Sequence, residues 1–197
     1  MPLTAPTLEN RWLRLEPLSP RHQSGLAEAI RDGELWTIRE TLVPHPDDLS
    51  DFFEAAVNAM WDGREIPFAV VDRARDAVVG STRFMVIHEN FRRLEIGYTF
   101  YAAAAQRTHV NTNAKYLMLR HAFEHWQMNR VELLTDARNA RSRAAIERIG
   151  AVQEGVLRSH MLMPDGHVRD SVLFAMVRED WPEAKALLER RLAPAGA

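Results

Sequence analysis

Residues 106–123 read Gln-Arg-Thr-His-Val-Asn-Thr-Asn-Ala-Lys-Tyr-Leu-Met-Leu-Arg-His-Ala-Phe, a polar loop that runs directly into an amphipathic helix. The first turn of any helix leaves backbone N–H groups unpaired and carries about half a positive charge, so it can hold a phosphate without a basic side chain. An apolar run at residues 94–101 predicts a strand immediately before the loop. This order favours a coenzyme site at the carboxyl end of a strand, although ordinary strand-to-helix turns share it.

The composition predicts one cytoplasmic domain. The chain has 197 residues, 46% of them apolar, which is enough for one core, so we expect a single domain over residues 1–197. A net charge of −2, with both signs interspersed, argues against a nucleic-acid-binding protein. The lack of cysteine excludes disulfides, thiolate nucleophiles and Cys-ligated zinc. There is no signal-peptide pattern and no apolar run of ~18 residues, so we expect no membrane association.

Hydrophobic periodicity predicts the order of the elements. Seven strands are expected, at residues 11–18, 66–71, 78–87, 93–101, 131–135, 151–163 and 170–177. Helices are expected at about residues 20–33, 47–62, 112–127, 139–149 and 180–192. Residues 66–101 predict an antiparallel meander, and the turn at Pro164, Asp165 and Gly166 predicts that the last two strands form a hairpin.

His121, Glu124 and His125 match the H-x-x-E-H spacing of some zinc peptidases. Two histidines four residues apart on a helix can share a metal ion. The helical projection places both imidazoles nearly opposite the apolar stripe, and the sequence offers no third ligand. We therefore interpret both histidines as solvent-facing and expect no metal.

Glu95 is a candidate general base on the strand at residues 93–101. The even positions, Leu94, Ile96, Tyr98 and Phe100, are apolar and predict one face. The other face then carries Glu95 with Gly97, Thr99 and Tyr101. That face could meet solvent or line a cleft, and partial burial in a cleft would raise the carboxyl pKa towards a useful value.

Several motifs of the carboxyl-terminal half occur in a fixed order: Leu94-Glu95-Ile96-Gly97-Tyr98, the loop at 106–111, the helix opening at Thr112-Asn113-Ala114, residues 139–151 with Asn139, Ser142 and Gly150, Glu154-Gly155, and Asp165-Gly166 before Asp170. Over about residues 68–181 the chain resembles the GCN5-related N-acetyltransferases (GNAT), and within them the branch that acetylates ribosomal-protein amino termini. The resemblance implies the α/β (α+β) GNAT fold, with a central, mixed, mostly antiparallel sheet of about seven strands and helices on both faces. It also implies acetyl-CoA as co-substrate and a primary amine, on a peptide N-terminus or a small molecule, as acceptor.

The resemblance also assigns the phosphate loop. The coenzyme pyrophosphate would be wrapped by backbone N–H groups of Gln106, Arg107, Thr108, His109, Val110, Asn111 and Thr112. His109 and Asn111 replace the two glycines of the family pattern, which supply positive φ and close backbone approach. Histidine and asparagine adopt positive φ more readily than most residues, so the loop shape can persist. Their side chains would, however, occupy space that the coenzyme needs.

Further roles follow from the same resemblance. Glu95 would act as base through water, and Ser142 would offer its hydroxyl to the coenzyme sulfur. Asn139 would bind the pantetheine arm, while backbone N–H groups of Tyr98, Thr99 and Phe100 would hold the acetyl carbonyl. From the residues alone, Asn139 is a helix cap and Ser142 a first-turn serine. The chain offers no cysteine and no serine triad, so we expect direct transfer without a covalent enzyme intermediate.

The link at residues 36–45 and the second predicted helix would line the acceptor cleft. Trp36 would contribute to this wall, and Arg39 or Glu40 could read the acceptor's charge. Two other classes stay open: a non-catalytic module that binds CoA or acyl-CoA, prompted by the substituted glycines, and a partner-binding protein that keeps only the fold. The sequence leaves the acyl chain and the oligomeric state, including a homodimer, open.

Overall fold

The computed structural model describes residues 5–193. Its centre is one eight-stranded sheet in the order β1-β2-β3-β4-β5-β6-β8-β7. The strands are β1 (Leu8–Glu9), β2 (Leu13–Pro17), β3 (Ile66–Asp72), β4 (Ala77–His88), β5 (Arg93–Tyr101), β6 (Arg130–Asp136), β7 (Val152–Leu162) and β8 (Val168–Val177). Only β5 and β6 pair in parallel, and all other neighbours are antiparallel.

Helices cover both faces of the sheet. They are α1 (Gln23–Arg31), α2 (Leu49–Trp61), α3 (Val110–Arg120), α4 (Ala140–Arg148) and α5 (Trp181–Leu192). Buried side chains of α3, α4 and α5 share a core with Leu94, Val131 and Phe174 on what we call the α3 face. The opposite side, the α1 face, buries Ala69 and Phe100 beneath α1 and α2.

The predicted layout is confirmed in outline, with three differences. The meander, the final hairpin and the mixed sheet are present, but the sheet has eight strands because β1 adds a short edge pairing. Helix α2 begins at Leu49, after a 3-10 turn at Pro46–Asp48. Helix α3 begins at Val110, two residues before the predicted opening.

Helix α3 is buried on nearly all sides. Every residue from 113 to 119 is buried, because α5 packs on the side that the sheet leaves free. The predicted division into one apolar and one solvent-facing side was therefore wrong for this helix. A π-helical turn, His121–His125, follows it, and His121 is half-buried rather than solvent-facing.

Two irregularities in β5 shape the sheet. Pairing with β6 covers only residues 93–95 of β5 and 130–132 of β6, although both strands continue further, so a gap opens between them beyond Glu95. On the other side of β5, Tyr98 and Thr99 together oppose Thr82 alone, which makes a β-bulge with Tyr98 at φ 47°.

The bulge reverses the side-chain alternation of β5. Leu94 and Ile96 lie in the core of the α3 face, as does Tyr101, whereas Phe100 lies in the core of the α1 face. The prediction that Phe100 shares a face with Leu94 was wrong, because one extra residue moves each later side chain to the other side.

Candidate active site

The loop between β5 and α3 presents free backbone donors. Within residues 5–193, the amide groups of Arg107, Thr108, His109, Asn111 and Thr112 have no hydrogen-bond acceptor. The amide of Val110 is 3.3 Å from the Thr108 hydroxyl, which donates to the Ala105 carbonyl at 2.6 Å. Free N–H groups at a helix start are suited to binding a diphosphate.

His109 does not take the positive φ expected of it. Its φ is −68°, Asn111 lies inside α3, and the positive φ of this loop falls at Arg107, with 60°. The imidazole lies 5.3 Å from the Trp12 ring, and its Nδ1 is 3.1 Å from the amide nitrogen of buried Asn113. The histidine is thus held on the side of β2, and the loop turns without glycine at either position.

Gln106 links the loop to α4. Its side-chain nitrogen donates to the Tyr101 carbonyl at 2.8 Å, and its side-chain oxygen accepts from Arg141 at 2.8 Å. At the start of α4, Asn139 Oδ1 accepts from the backbone N–H of Ser142 at 2.9 Å. Asn139 is therefore a helix cap, as the residues alone indicated. Ser142 is half-buried, and its hydroxyl has no partner among the described residues.

A buried lysine lies beneath the bulge. Lys115 of α3 is 5% exposed, and its Nζ donates to Thr99 Oγ1 at 2.8 Å. The Thr99 hydroxyl is also 2.8 Å from that of Thr82. Burial lowers the pKa of Lys115 to about 7. The bulge is thereby tied to α3 by an amine that is partly neutral at physiological pH.

Glu95 lies beside the gap on the α1 face. It is half-buried and forms no hydrogen bond or salt bridge with the described residues. Burial, followed by the nearby Glu132, raises its pKa to about 7, against the opposite effect of Arg169. A Cβ at Gly97 would lie 3.1 Å from Glu95 Oε1, so the carboxyl lies over Gly97. An uncommitted carboxyl with this pKa can take up a proton near neutral pH.

The link between α1 and α2 lies on the same face. Trp36 is partly buried against the α1-face core, with its ring edge-on to His45 at 5.1 Å. The hydrogen bond to Asp136 is the main cause of the raised pKa of Arg138, and the charge of Glu40 adds to it, which places Glu40 near the loop between β6 and α4. Arg39 is exposed. The structure thus brings Glu40 towards the carboxyl end of β6, while Arg39 forms no hydrogen bond or salt bridge with a candidate residue in the described part of the chain.

The comparison with known families decides the assignment. The family described as Acetyltransferase (GNAT) domain matches residues 13–152. The chain belongs to the GNAT acetyltransferase family. It is therefore an acyltransferase, and the GNAT fold predicted from the ordered motifs is confirmed.

Individual GNAT relatives extend over nearly the whole chain. The "Putative ribosomal N-acetyltransferase YdaF" of Bacillus subtilis (strain 168) is 32% identical over 192 residues, which cover 89% of this chain and 97% of that protein. The crystal structure of a GCN5-related N-acetyltransferase from Brucella melitensis has a TM-score of 0.86 at 28% identity, covering 98% of this chain and 88% of the other. Mycobacterium smegmatis RimJ in complex with CoA-disulfide shares the fold, with a TM-score of 0.81, 21% identity and 95% coverage of both chains.

The sequence did not single out two buried cations of this GNAT chain. Lys115 occupies a helix position where a polar residue usually meets solvent, and only the packing of α3 reveals its burial. Arg169 is 8% exposed and lies two residues before Ser171 in β8. Residues two apart on a strand share a face, so the only signal in the sequence was that these two polar side chains lie on one side of the sheet.

The two histidines of the H-x-x-E-H motif lie side by side after α3. His121 and His125 stack at 5.0 Å, and burial lowers the pKa of His121 to about 4, while Glu124 pairs with Lys185. Within the described part of the chain, no group of three or more His, Asp or Glu side chains is placed to hold a metal ion. No helix between residues 5 and 193 has both the length and the apolar character needed to cross a membrane.

Proposed function

We propose that this GNAT enzyme transfers the acetyl group of acetyl-CoA to the α-amine of a protein or peptide N-terminus. The observation that carries the proposal is the uncommitted carboxyl of Glu95, with a pKa near 7, beside the gap between β5 and β6. An α-amine has a pKa of about 7.7 to 8, whereas a lysine side chain is near 10.4. A base with a pKa near 7 suits the α-amine much better. The relative named as a ribosomal N-acetyltransferase supports the same acceptor class.

Donor binding would use the loop and the start of α4. The free amides of residues 107–109, 111 and 112 are suited to a diphosphate, and Arg107 adds a positive charge beside them. Asn139 spends its side-chain oxygen on the helix cap, which leaves its amide N–H groups for the pantetheine arm. GNAT acetyltransferases use acetyl-CoA, and the fold relative RimJ carries a CoA derivative.

In the transfer, the amine nitrogen bonds to the acyl carbon, the carbon–sulfur bond breaks, and the amine loses a proton. Glu95 would take that proton through a water molecule, since its carboxyl is free to accept it. Backbone N–H groups at the bulge, residues 98–100, would hold the carbonyl oxygen as negative charge develops there. Ser142 would donate its hydroxyl hydrogen bond to the departing sulfur.

The acceptor would enter on the α1 face, between the α1–α2 link and the β7–β8 hairpin. Trp36 and Glu40 would contact it there, with Arg39 at the rim. This face meets neither α3 nor α5, so donor and acceptor need not compete for space. We also propose that residues 1–197 form one catalytic domain working in the cytoplasm, where ribosomal proteins are made.

A thiol-release assay with acetyl-CoA and longer acyl-CoAs tests the proposal. The acceptors are peptides with free and blocked N-termini, together with amino acids and polyamines. Thiol release that requires the free peptide α-amine supports it. Release only with small amines would overturn the acceptor class, and CoA binding without turnover on any amine would indicate a non-catalytic module instead.

A further inference from the structure

Arg169 is a buried cation without a partner. It lies in β8 and is 8% exposed, and its Nε has no hydrogen-bond partner among the described residues. No salt bridge involves it within residues 5–193. A guanidinium has five N–H donors and stays charged at any physiological pH, and a buried Nε–H without an acceptor is costly. Such a group calls for an oxygen ligand.

The strand register places Arg169 on the α1 face. Ser171 opposes Asp136 in the β6–β8 ladder, and Glu132 of β6 lies beside Glu95 in the parallel pair. Residues that oppose each other, or that are two apart on one strand, share a face. Arg169 therefore shares the face of Glu95 and lies further towards the carboxyl end of β6.

The neighbouring carboxylates are committed to other cations. Asp136 accepts from Arg138 through both oxygens, at 2.8 to 3.3 Å. Glu132 accepts from Arg130 at 2.7 Å. The charges of Asp136 and Glu95 reach Arg169, but neither forms a salt bridge with it. Among the described residues, Arg169 thus has no carboxylate within salt-bridge distance, and it lies on the face where the acceptor would bind.

We infer that Arg169 binds a carboxylate carried by the acceptor, so that the enzyme prefers N-terminal segments with an acidic side chain close to the α-amine. This inference rests on the proposed function. A planar guanidinium and a carboxylate can form two parallel charge-assisted hydrogen bonds, which explains why the site needs no carboxylate of its own.

The separation of the two groups favours a side chain over the carboxylate of a free amino acid. Ala175 opposes Glu132 and thus marks the level of Glu95, and Arg169 precedes it by six residues. That is roughly 20 Å of extended strand. The separation between the two functional groups is smaller, because the charges of Glu95 and Arg169 act on each other. A side-chain carboxylate lies further from the α-amine than the α-carboxylate of a free amino acid does, so it spans more of this separation.

Matched acceptors test the inference. Peptides with Asp or Glu at position 1, 2 or 3 are compared with their Asn or Gln counterparts, and free amino acids with their amides, by kcat/KM in the thiol-release assay. The expected result is a preference of about tenfold or more for the acidic peptide at one position, the range of a charge-assisted hydrogen bond.

Variants identify the residue responsible. Arg169→Gln should abolish the preference while retaining acetylation of the amide peptides, and Arg169→Lys should retain part of it. Arg158→Gln, an exposed arginine of the same hairpin, is the matched control and should leave the preference unchanged. Circular dichroism establishes whether each variant folds. If Arg169→Gln does not fold, the comparison of acidic and amide peptides with the wild-type enzyme still tests the inference.

Equal rates for acidic and amide peptides would overturn the inference while leaving the proposed function intact. A preference that survives Arg169→Gln would assign the site to another residue. A carboxylate preference confined to free amino acids would overturn the peptide side chain as its source. Turnover of no peptide at all would overturn the proposed function and this inference with it.

Discussion

Lys115 Nζ donates a hydrogen bond to Thr99 Oγ1 over 2.8 Å, and through it helix α3 holds the bulge of β5. The bulge would present its amides to the acyl carbonyl, so its geometry matters for the proposed chemistry. A neutral amine is an unusual anchor, because a lysine is rarely fully buried unless paired. Its presence here makes stability depend on pH.

Replacing Lys115 with methionine should remove that dependence. The pKa of Lys115 is about 7 in the folded protein and near 10.4 when unfolded, so between these values the unfolded chain binds more protons. The wild type should therefore gain stability from pH 7 to pH 9, by up to about 1.4 kcal/mol per pH unit. Lys115→Met should lack this gain and should slow acetyl transfer.

Denaturant unfolding at pH 7, 8 and 9 measures the effect. Lys185→Met, at a surface lysine paired with Glu124, is the control and should keep the wild-type slope. A variant at position 115 with that same slope would show that Lys115 is charged in the folded protein.

Glu95→Gln should lower kcat by roughly 100-fold at pH 7, the lower end of the range for a general base. The pKa of Glu95 is about 7, so below that pH the carboxyl is protonated and the wild-type rate should fall about tenfold per pH unit. The pH–rate profile of the variant should show only the inflection caused by titration of the acceptor amine. Rate profiles from pH 5.5 to 9 measure this.

Calorimetry with CoA should give the same affinity for Glu95→Gln and wild type. Glu183→Gln, an exposed residue of α5, is the matched control and should change neither rate nor binding. A variant at position 95 with an unaltered pH profile would remove this residue from the mechanism.

Gly97→Ala should impair transfer by moving the neighbouring carboxyl. The added Cβ would meet Met85 Sδ at 2.5 Å and Glu95 Oε1 at 3.1 Å, so both side chains must shift. We expect kcat to fall by about tenfold or more, since small displacements of catalytic groups are costly. Steady-state kinetics, with thermal unfolding in parallel, separate this from a loss of fold.

Gly155→Ala is the control, because nothing lies within 4 Å of a Cβ at that position. It should behave as wild type. If Gly97→Ala has the same kcat as wild type, the Glu95 carboxyl can move without any effect on transfer.

His109→Ala should leave CoA affinity within about threefold of wild type, a difference below 1 kcal/mol. The imidazole packs on Trp12 and near Asn113, away from the free amides of the loop. Calorimetry on this variant and on Asn111→Gly measures the affinity, and thermal unfolding checks the fold. A tenfold gain for either variant would show instead that its native side chain obstructs the coenzyme.

Much of the fold could be predicted from local sequence patterns. The meander at residues 66–101 and the turn at Pro164, Asp165 and Gly166 follow from alternation and turn chemistry, and Asn139 caps α4 as its residue type indicates. The bulge at Tyr98 could not be predicted, because neither glycine nor asparagine marks its positive φ. This bulge is the reason that Phe100 lies on the opposite face from Leu94.

The site was harder to predict because it depends on contacts between distant segments. The burial of Lys115 depends on the β5 bulge, because its Nζ lies under the sheet against Thr99 Oγ1. The family pattern suggested that His109, at a glycine position, would take a positive φ. The loop instead takes its positive φ at Arg107, and no local signal marks that position. The strand position of Glu95 could be predicted, but its raised pKa depends first on burial by neighbouring elements and then on Glu132 from another strand.

The early parting of β5 and β6 gives the sheet an aperture. A donor bound against α3 and an acceptor bound beneath α1 would meet through this opening by their reacting ends. A bulky folded protein could therefore be modified without entering the enzyme, provided that a few extended residues at its beginning thread towards the opening.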